Sequence, residues 1–173
     1  LIFKPAMFIT AILLFNYWQA NYKLMLYIDD NYNYKKYFRF FGITSAAFLV
    51  LHSIFLGVKF DLIFYDLFRR LIILSFIIFE LLAQGFLVAN LFKIKSRTTA
   101  FTNITILKFK ILLVSVLCLV AITSVPIVLN EGNTFIKHVL EWNFFAAVMA
   151  FYLLSFLFWK RPTKTQVHTP KGA

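Results

Sequence analysis

Polar residues inside long apolar runs are the positions where this sequence could do chemistry. Burying an ionisable group in a bilayer is costly, so such residues are kept for function or for contacts between helices. Imidazole and carboxyl groups in those surroundings can move protons, hold a metal ion or bind a polar ligand. The candidate positions are His52, Glu80, Gln84, His138, Glu141, Trp142 and Asn143.

Glu80 and Gln84 are four residues apart, so they lie on one face of a helix. The preceding apolar run carries a stripe of small and polar residues at spacings of three and four: Gly42, Ser45, Leu49, His52 and Leu56. We expect Glu80 to face the interior and to meet His52, Gln84 or the headgroup of a ligand. Three uses remain open: interhelical hydrogen bonds to a protonated Glu80, a lipid or ligand headgroup site, and proton transfer.

His138 and Glu141 are three residues apart, next to Trp142 and Asn143, at the start of the last apolar run. A tryptophan beside polar groups is typical of a helix anchored at the membrane surface, and the same residues could recognise a headgroup. Two side chains do not make a metal coordination shell, so we expect no metal here.

The three histidines also could be considered as haem ligands. A bis-histidine haem needs two imidazoles facing each other at the same depth. His52 lies about 9 Å from the end of its helix at 1.5 Å per residue, whereas His138 begins its helix and His168 lies in the polar tail. We therefore expect no haem or other cofactor. The sequence also has no glycine-rich nucleotide loop and no catalytic motif, so an enzyme is not favoured.

The elements that position these residues are apolar runs. Of 173 residues, 61% are hydrophobic and 14% charged, whereas a soluble domain carries about 25% charge. A crossing of about 30 Å needs about 20 apolar residues. This predicts an all-α polytopic transmembrane helix bundle, with one membrane domain over 1–159 and a polar, disordered tail over 160–173. The predicted helices are 6–28, 40–58, 71–92, 106–129 and 139–159.

The net charge of +11 would suit a nucleic-acid-binding protein, but the basic residues lie at the ends of apolar runs. That placement indicates membrane edges, so we expect lipids and not nucleic acid as partners. Five crossings put Asp29–Arg39, Lys93–Thr105 and the tail on one side. Together with Lys108 and Lys110 at the adjoining helix end, these segments hold 12 of the 18 basic residues. This side is predicted to be cytoplasmic, or the matrix or stromal side in an organelle, with the start of the chain outside.

The order of helices and some local motifs resemble the DRAM family, autophagy modulators related to FGF-receptor-activating membrane proteins. The motifs are Ala20-Asn21-Tyr22-Lys23, Gly42 early in the next helix and Glu141-Trp142 in the last. The chain departs from the family in having Leu71-Ile72-Ile73 where members often have a histidine. The resemblance implies six helices with both ends cytoplasmic, and therefore a first helix preceding Leu1. It also implies a non-catalytic or lipid-related regulator of membrane composition.

Two functions from different classes remain open on these observations. The first is a non-catalytic multi-pass membrane protein that interacts with lipids or regulates the membrane. The second is a small hydrophobic subunit of a larger respiratory or transport complex, which suits the short loops and aromatic surface. A membrane cytochrome or a transporter is less favoured, because the sequence has no matched haem ligands and no internal repeat.

Overall fold

The protein is described by a computed structural model that covers residues 3–28, 35–55, 58, 63–95, 102–129 and 134–159. Over these ranges it forms five α-helices and no strand beyond a single isolated bridge. The helices are α1 (Phe3–Ile28), α2 (Lys35–Phe55), α3 (Ile63–Lys93), α4 (Ile104–Leu129) and α5 (Thr134–Phe158). The predicted all-α class with five helices is confirmed. Each helix begins earlier than the predicted apolar run.

Three of the described helices are long and apolar enough to cross a membrane, over Lys36–Phe55, Phe68–Lys93 and Ile104–Ser124. The chain is therefore an integral membrane protein. The described apolar stretch of α5, Trp142–Phe158, is shorter, and α1 is not among the three. Polar residues in the second half of α1, such as Asn16 and Lys23, explain the difference. Crossings by α1 and α5 stay predictions.

The chain packs as two compact units, Leu1–Asn90 and Leu91–Ala173. We call them unit 1 and unit 2. Unit 1 contains α1, α2 and most of α3, and unit 2 contains α4 and α5. The candidate residues Glu80, Gln84 and His52 belong to unit 1, whereas those from His138 to Asn143 belong to unit 2.

In unit 1, α1 and α2 pack side by side in opposite directions. The hydroxyl of Ser53, near the end of α2, donates to the carbonyl of Lys4 at the start of α1 over 3.2 Å. The fully buried Trp18 lies against Gly42 so closely that a Cβ added at Gly42 would be 2.3 Å from the indole ring. Only a glycine leaves room for the ring at this crossing.

Aromatic rings join α2 to α3 along their length. Phe41 stacks on Phe86 with ring centroids 5.4 Å apart, and Phe48 stacks on Phe79 at 5.5 Å. Further along α2, Phe55 meets Phe68 edge to face at 5.2 Å. Because later residues of α2 meet earlier residues of α3, the two helices are antiparallel. The high phenylalanine content thus builds contacts between helices as well as outward surface.

Unit 2 is an antiparallel pair whose open end is held together by backbone contacts. Asn103 caps α4, since its Oδ1 accepts from the backbone N–H of Thr105 over 3.1 Å. Its own N–H donates to the carbonyl of Phe158 over 2.9 Å, next to an antiparallel bridge between Thr102 and Trp159. The beginning of α4 and the end of α5 therefore lie together.

Candidate functional site

Glu80 lies on the buried face of α3. Buried residues follow one another along this helix at spacings of three and four: Ile72, Phe76, Glu80, Ala83, Leu87 and Leu91. A carboxyl therefore stands where the helical period calls for an apolar residue, and it is 0% exposed. The prediction that Glu80 faces the interior is confirmed.

Both carboxyl oxygens of Glu80 have polar neighbours. The Nε2 of Gln84 donates to Oε1 over 3.0 Å, as expected for residues one turn apart. The Oγ of Ser45, on α2, lies 2.7 Å from Oε2. The same Oγ lies 2.8 Å from the carbonyl oxygen of Gly42, one turn earlier in α2. Ser45 thus connects the carboxyl on α3 to the backbone of α2. We call Ser45, Glu80 and Gln84 the polar cluster.

An uncharged Glu80 is compatible with the contacts of the polar cluster. A serine hydroxyl has one hydrogen, and the carbonyl of Gly42 can only accept. When Ser45 donates to that carbonyl, the short contact with Oε2 of Glu80 requires a proton on the carboxyl. Burying an ionised carboxylate in this apolar setting would also be costly. We therefore predict that the carboxyl of Glu80 is protonated.

Gln84 keeps one acceptor open. Its side chain is fully buried, and its Oε1 has no hydrogen-bond partner within the described ranges. The cluster therefore has spare accepting capacity at the side-chain oxygen of Gln84.

His52 lies at the edge of the face that carries the polar cluster. Gly42, Ser45 and Leu49 of the predicted stripe are buried, as is Ser53, whereas His52 is half-buried. Leu56 lies outside the described residues. The buried face of α2 thus includes Ser53, whereas the predicted stripe included His52. A contact between His52 and Glu80 stays a prediction.

The candidate residues of α5 are described in part. Trp142 is 70% exposed, and Asn143 is exposed and donates through Nδ2 to the carbonyl of Val139 over 2.8 Å. Asn143 thus uses one donor on its own helix. The side chains of His138 and Glu141 lie outside the described residues, so their pairing stays a prediction.

Lys110, on α4, is a buried ionisable residue that the sequence reasoning assigned to the membrane edge. It is 1% exposed, and its Nζ donates to the Oγ of Ser155 on α5 over 2.7 Å. The Nζ also lies 4.0 Å from the ring centroid of Phe151 and 5.6 Å from that of Phe158. The described part of the chain places no carboxylate in an ion pair with it. Two ring faces and one hydroxyl therefore surround the ammonium.

A pattern in the sequence could have indicated this burial. Among the side chains of α4 whose burial is described, the buried ones are Leu107, Lys110, Val114 and Leu117, with spacings of three, four and three. Lys110 occupies an apolar position of that stripe, whereas Lys108, two residues earlier, is exposed. A count of positive charges at helix ends does not distinguish the exposed Lys108 from the buried Lys110. The helical period of the buried residues does distinguish them.

The two buried ionisable groups serve contacts between helices. Glu80 joins α3 to α2 through Ser45, and Lys110 joins α4 to α5 through Ser155. The residues whose positions are described contain no group of three or more metal-ligating side chains. In comparisons with known proteins, no family model, curated protein or solved structure matches this chain. The case for a function therefore depends on its own residues.

Proposed function

We propose that this chain is a non-catalytic multi-pass membrane protein that binds anionic lipid headgroups on unit 2, where α4 begins. The observation that carries the proposal is the exposure of Lys93, Lys95 and Lys108 around the connection from α3 to α4. Since Lys93 ends α3, Lys95 lies just beyond it and Lys108 lies in the second turn of α4, all three lie near one membrane surface.

The charge around these lysines is one-sided. In the sequence, no acidic residue occurs between Glu80 and Glu131. The Nζ of Lys95 lies 4.1 Å from the ring centroid of Phe92, which leaves the side chain along the edge of the apolar helix. Basic residues in this position attract anionic lipids with about 1 kcal/mol each. A headgroup phosphate is therefore the ligand that fits them.

The buried groups support a role without catalysis. A general acid or base must reach a substrate, whereas both oxygens of Glu80 and the ammonium of Lys110 contact neighbouring side chains of the same unit. The same lysines support the proposed orientation, in which Asp29–Arg39, Lys93–Thr105 and the tail lie on the cytoplasmic side. The resemblance to the DRAM family implies the same kind of lipid-related role.

Lipid retention measured by native mass spectrometry tests this proposal. The purified chain is compared with the triple variant Lys93→Gln, Lys95→Gln and Lys108→Gln in the presence of phosphatidylglycerol or phosphatidylcholine. At about 1 kcal/mol for each lysine, the triple variant should bind phosphatidylglycerol on the order of a hundredfold more weakly. Binding of phosphatidylcholine should not change.

The matched control removes the same charge from unit 1. Lys4, Lys23 and Lys36 are also exposed, so replacing all three by glutamine changes the net charge equally. We expect this control to lose at most a few fold in affinity. If both triple variants lost the same affinity for phosphatidylglycerol, net charge alone would explain the binding. That result would contradict a site at the beginning of α4.

The second candidate is a small hydrophobic subunit of a larger membrane complex, and α1 is the observation that favours it. Its outward surface carries the exposed polar residues Asn16 and Lys23 among apolar ones. Such a surface suits protein contact better than lipid. Mild-detergent purification distinguishes the two functions, because a subunit should be recovered with a fixed partner protein and should lose thermal stability when that partner is removed.

A further inference from the structure

Gln84 carries a buried oxygen that no described residue satisfies. Its side chain is 0% exposed, and its Nε2 donates to Oε1 of Glu80 over 3.0 Å, whereas its own Oε1 has no hydrogen-bond partner in the described ranges. An acceptor left unpaired in an apolar interior is costly. A ligand that brings a hydrogen or a positive charge to this oxygen would remove that cost.

The unpaired oxygen lies close to the carboxyl group of Glu80. The oxygen and the nitrogen of an amide share one carbon and are therefore about 2.2 Å apart. Since Nε2 of Gln84 lies 3.0 Å from Oε1 of Glu80, the amide oxygen lies within about 5 Å of that carboxyl oxygen. The Oγ of Ser45 lies 2.7 Å from the other carboxyl oxygen. A carboxyl, a hydroxyl and an amide oxygen are thus held together between α2 and α3.

Oxygens of these three kinds are the ligands that hard cations prefer. Carboxylates, carbonyl oxygens of amides and water bind magnesium and calcium, whereas softer transition metals favour imidazole and thiolate. Oxygen sites inside membrane proteins also hold Na⁺. The hydroxyl of Ser45 can contribute as well, because its hydrogen is taken by the carbonyl of Gly42 and its lone pairs face the carboxyl.

The charge of the polar cluster selects a monovalent ion. Glu80 is its one ionisable member, so an ionised cluster carries a single negative charge. One monovalent cation makes the cluster neutral, whereas a divalent ion would leave a net positive charge in an apolar interior, which is costly. The contacts of 2.7 and 3.0 Å also bring the side chains close together, so a small ion requires the least rearrangement. These properties favour Na⁺ over K⁺.

We propose that the polar cluster binds one Na⁺ between Oε2 of Glu80, Oγ of Ser45 and Oε1 of Gln84. The ion takes the place of the carboxyl proton, which passes to water, so the cluster is neutral before and after the exchange. Three oxygens of the protein hold an alkali ion weakly, and it therefore binds reversibly and is lost on desalting. This inference goes beyond the binding of anionic lipids and does not depend on it, since that proposal rests on exposed lysines of unit 2.

Equilibrium binding of radioactive Na⁺ to the purified full chain, in a buffer that contains choline as the only other cation, tests the proposal. We expect saturable binding of one ion per chain, with competition by unlabelled Na⁺ and much weaker competition by K⁺. Glu80→Gln should abolish binding, because it removes the negative charge. Ser45→Ala and Gln84→Leu, which each remove one oxygen, should raise the dissociation constant at least about tenfold.

Ser53→Ala is the matched control. Like Ser45, Ser53 is 0% exposed and lies on α2, but its hydroxyl donates to the carbonyl of Lys4 on α1. This variant removes an equally buried hydroxyl and leaves the polar cluster intact. Its dissociation constant for Na⁺ should equal that of the parent protein.

Infrared difference spectroscopy on the parent protein adds a measurement that no substitution can disturb. When Na⁺ replaces choline, the carbonyl stretch of a carboxylic acid should decrease and carboxylate bands should appear. The same exchange in Glu80→Gln should give neither change, and Ser53→Ala should behave like the parent.

Three results would overturn the proposal. If the parent protein shows neither saturable binding nor an infrared change with Na⁺, the oxygen of Gln84 accepts only from water. Binding that persists in Glu80→Gln would place the ion elsewhere in the chain. Equal weakening in Ser45→Ala and Ser53→Ala would mean that loss of packing, and not loss of a ligand, changes the affinity.

Discussion

The Oγ of Ser155 lies 2.7 Å from Nζ of Lys110 and 3.0 Å from the carbonyl oxygen of Phe151, one turn earlier in α5. Because the hydroxyl has one hydrogen, it donates to the carbonyl and accepts from the ammonium. Ser45 likewise lies within hydrogen-bond distance of both Glu80 and the carbonyl of Gly42. In the described part of each unit, a buried ionisable side chain thus contacts a serine on the neighbouring helix.

This arrangement makes the effects of substituting Lys110 and Ser155 unequal. Ser155→Ala leaves a buried ammonium without its hydrogen-bond acceptor and should lower the free energy of unfolding by about 1.5–3 kcal/mol. Lys110→Met removes the charge, keeps an unbranched apolar chain and should be neutral or stabilising. Titration with denaturing detergent, followed by circular dichroism, measures both.

The double variant provides the control for this pair. Once methionine replaces Lys110, Ser155→Ala should cost well under 1 kcal/mol, because no ammonium remains to be satisfied. Equal costs of Ser155→Ala in the two backgrounds would mean that the contact between Lys110 and Ser155 contributes nothing.

The orientation prediction is tested by cysteine accessibility. In the Cys118→Ser background, single cysteines replace Asn33 and Asn133, which lie in connections on opposite sides of the membrane if all five helices cross. A membrane-impermeant thiol reagent applied to sealed, right-side-out vesicles should label position 133 only, and should label position 33 after permeabilisation. Labelling of both from one side would contradict the five-crossing topology.

The helices were predictable because a bilayer leaves the backbone few alternatives. Each apolar run must satisfy its own N–H and C=O groups, so length and hydropathy identify α2, α3 and α4 directly. The inward position of Glu80 followed from its cost in lipid. These properties depend on one helix and its solvent, which are visible in the sequence.

Other features depend on contacts between two helices, and the sequence alone did not predict them. The ring of Trp18 occupies the space that Gly42 leaves, and neither residue alone indicates the other. Lys110 looked like a membrane-edge charge, although the helical period places it on the inward face of α4. The partner of Glu80 on α2 is Ser45, one of the small residues of the predicted stripe.

The absence of haem stays a prediction, and it has a simple test. An absorption spectrum of the purified protein should show no Soret band, because the sequence places His52 and His138 at different depths. Metal analysis should likewise find less than one tightly bound ion per chain. A Soret band that disappears in His52→Ala would instead make the protein a membrane cytochrome.

Gly42→Ala should strongly disturb the contact between α1 and α2. The new Cβ would lie 2.3 Å from the indole of Trp18, which is fully buried, so the helices must separate or the ring must move. We expect a loss of about 1–3 kcal/mol in the free energy of unfolding. Adding Trp18→Leu should recover part of it. Ala47→Leu, a larger but outward change on α2, should cost less than about 0.5 kcal/mol, and thermal unfolding in detergent would compare the three.

Glu80→Gln separates a protonated carboxyl from an ionised one. A glutamine amide can donate to Ser45 and accept from Gln84, as a protonated carboxyl does, so this variant should stay within about 1 kcal/mol of the parent protein. Glu80→Leu cannot make either hydrogen bond and should lose about 1–3 kcal/mol. The difference infrared spectrum between the parent and Glu80→Gln at neutral pH should contain the carbonyl stretch of a carboxylic acid. If the spectrum contains only carboxylate bands, Ser45 must donate to Glu80 instead of to Gly42, and the polar cluster would hold a buried negative charge.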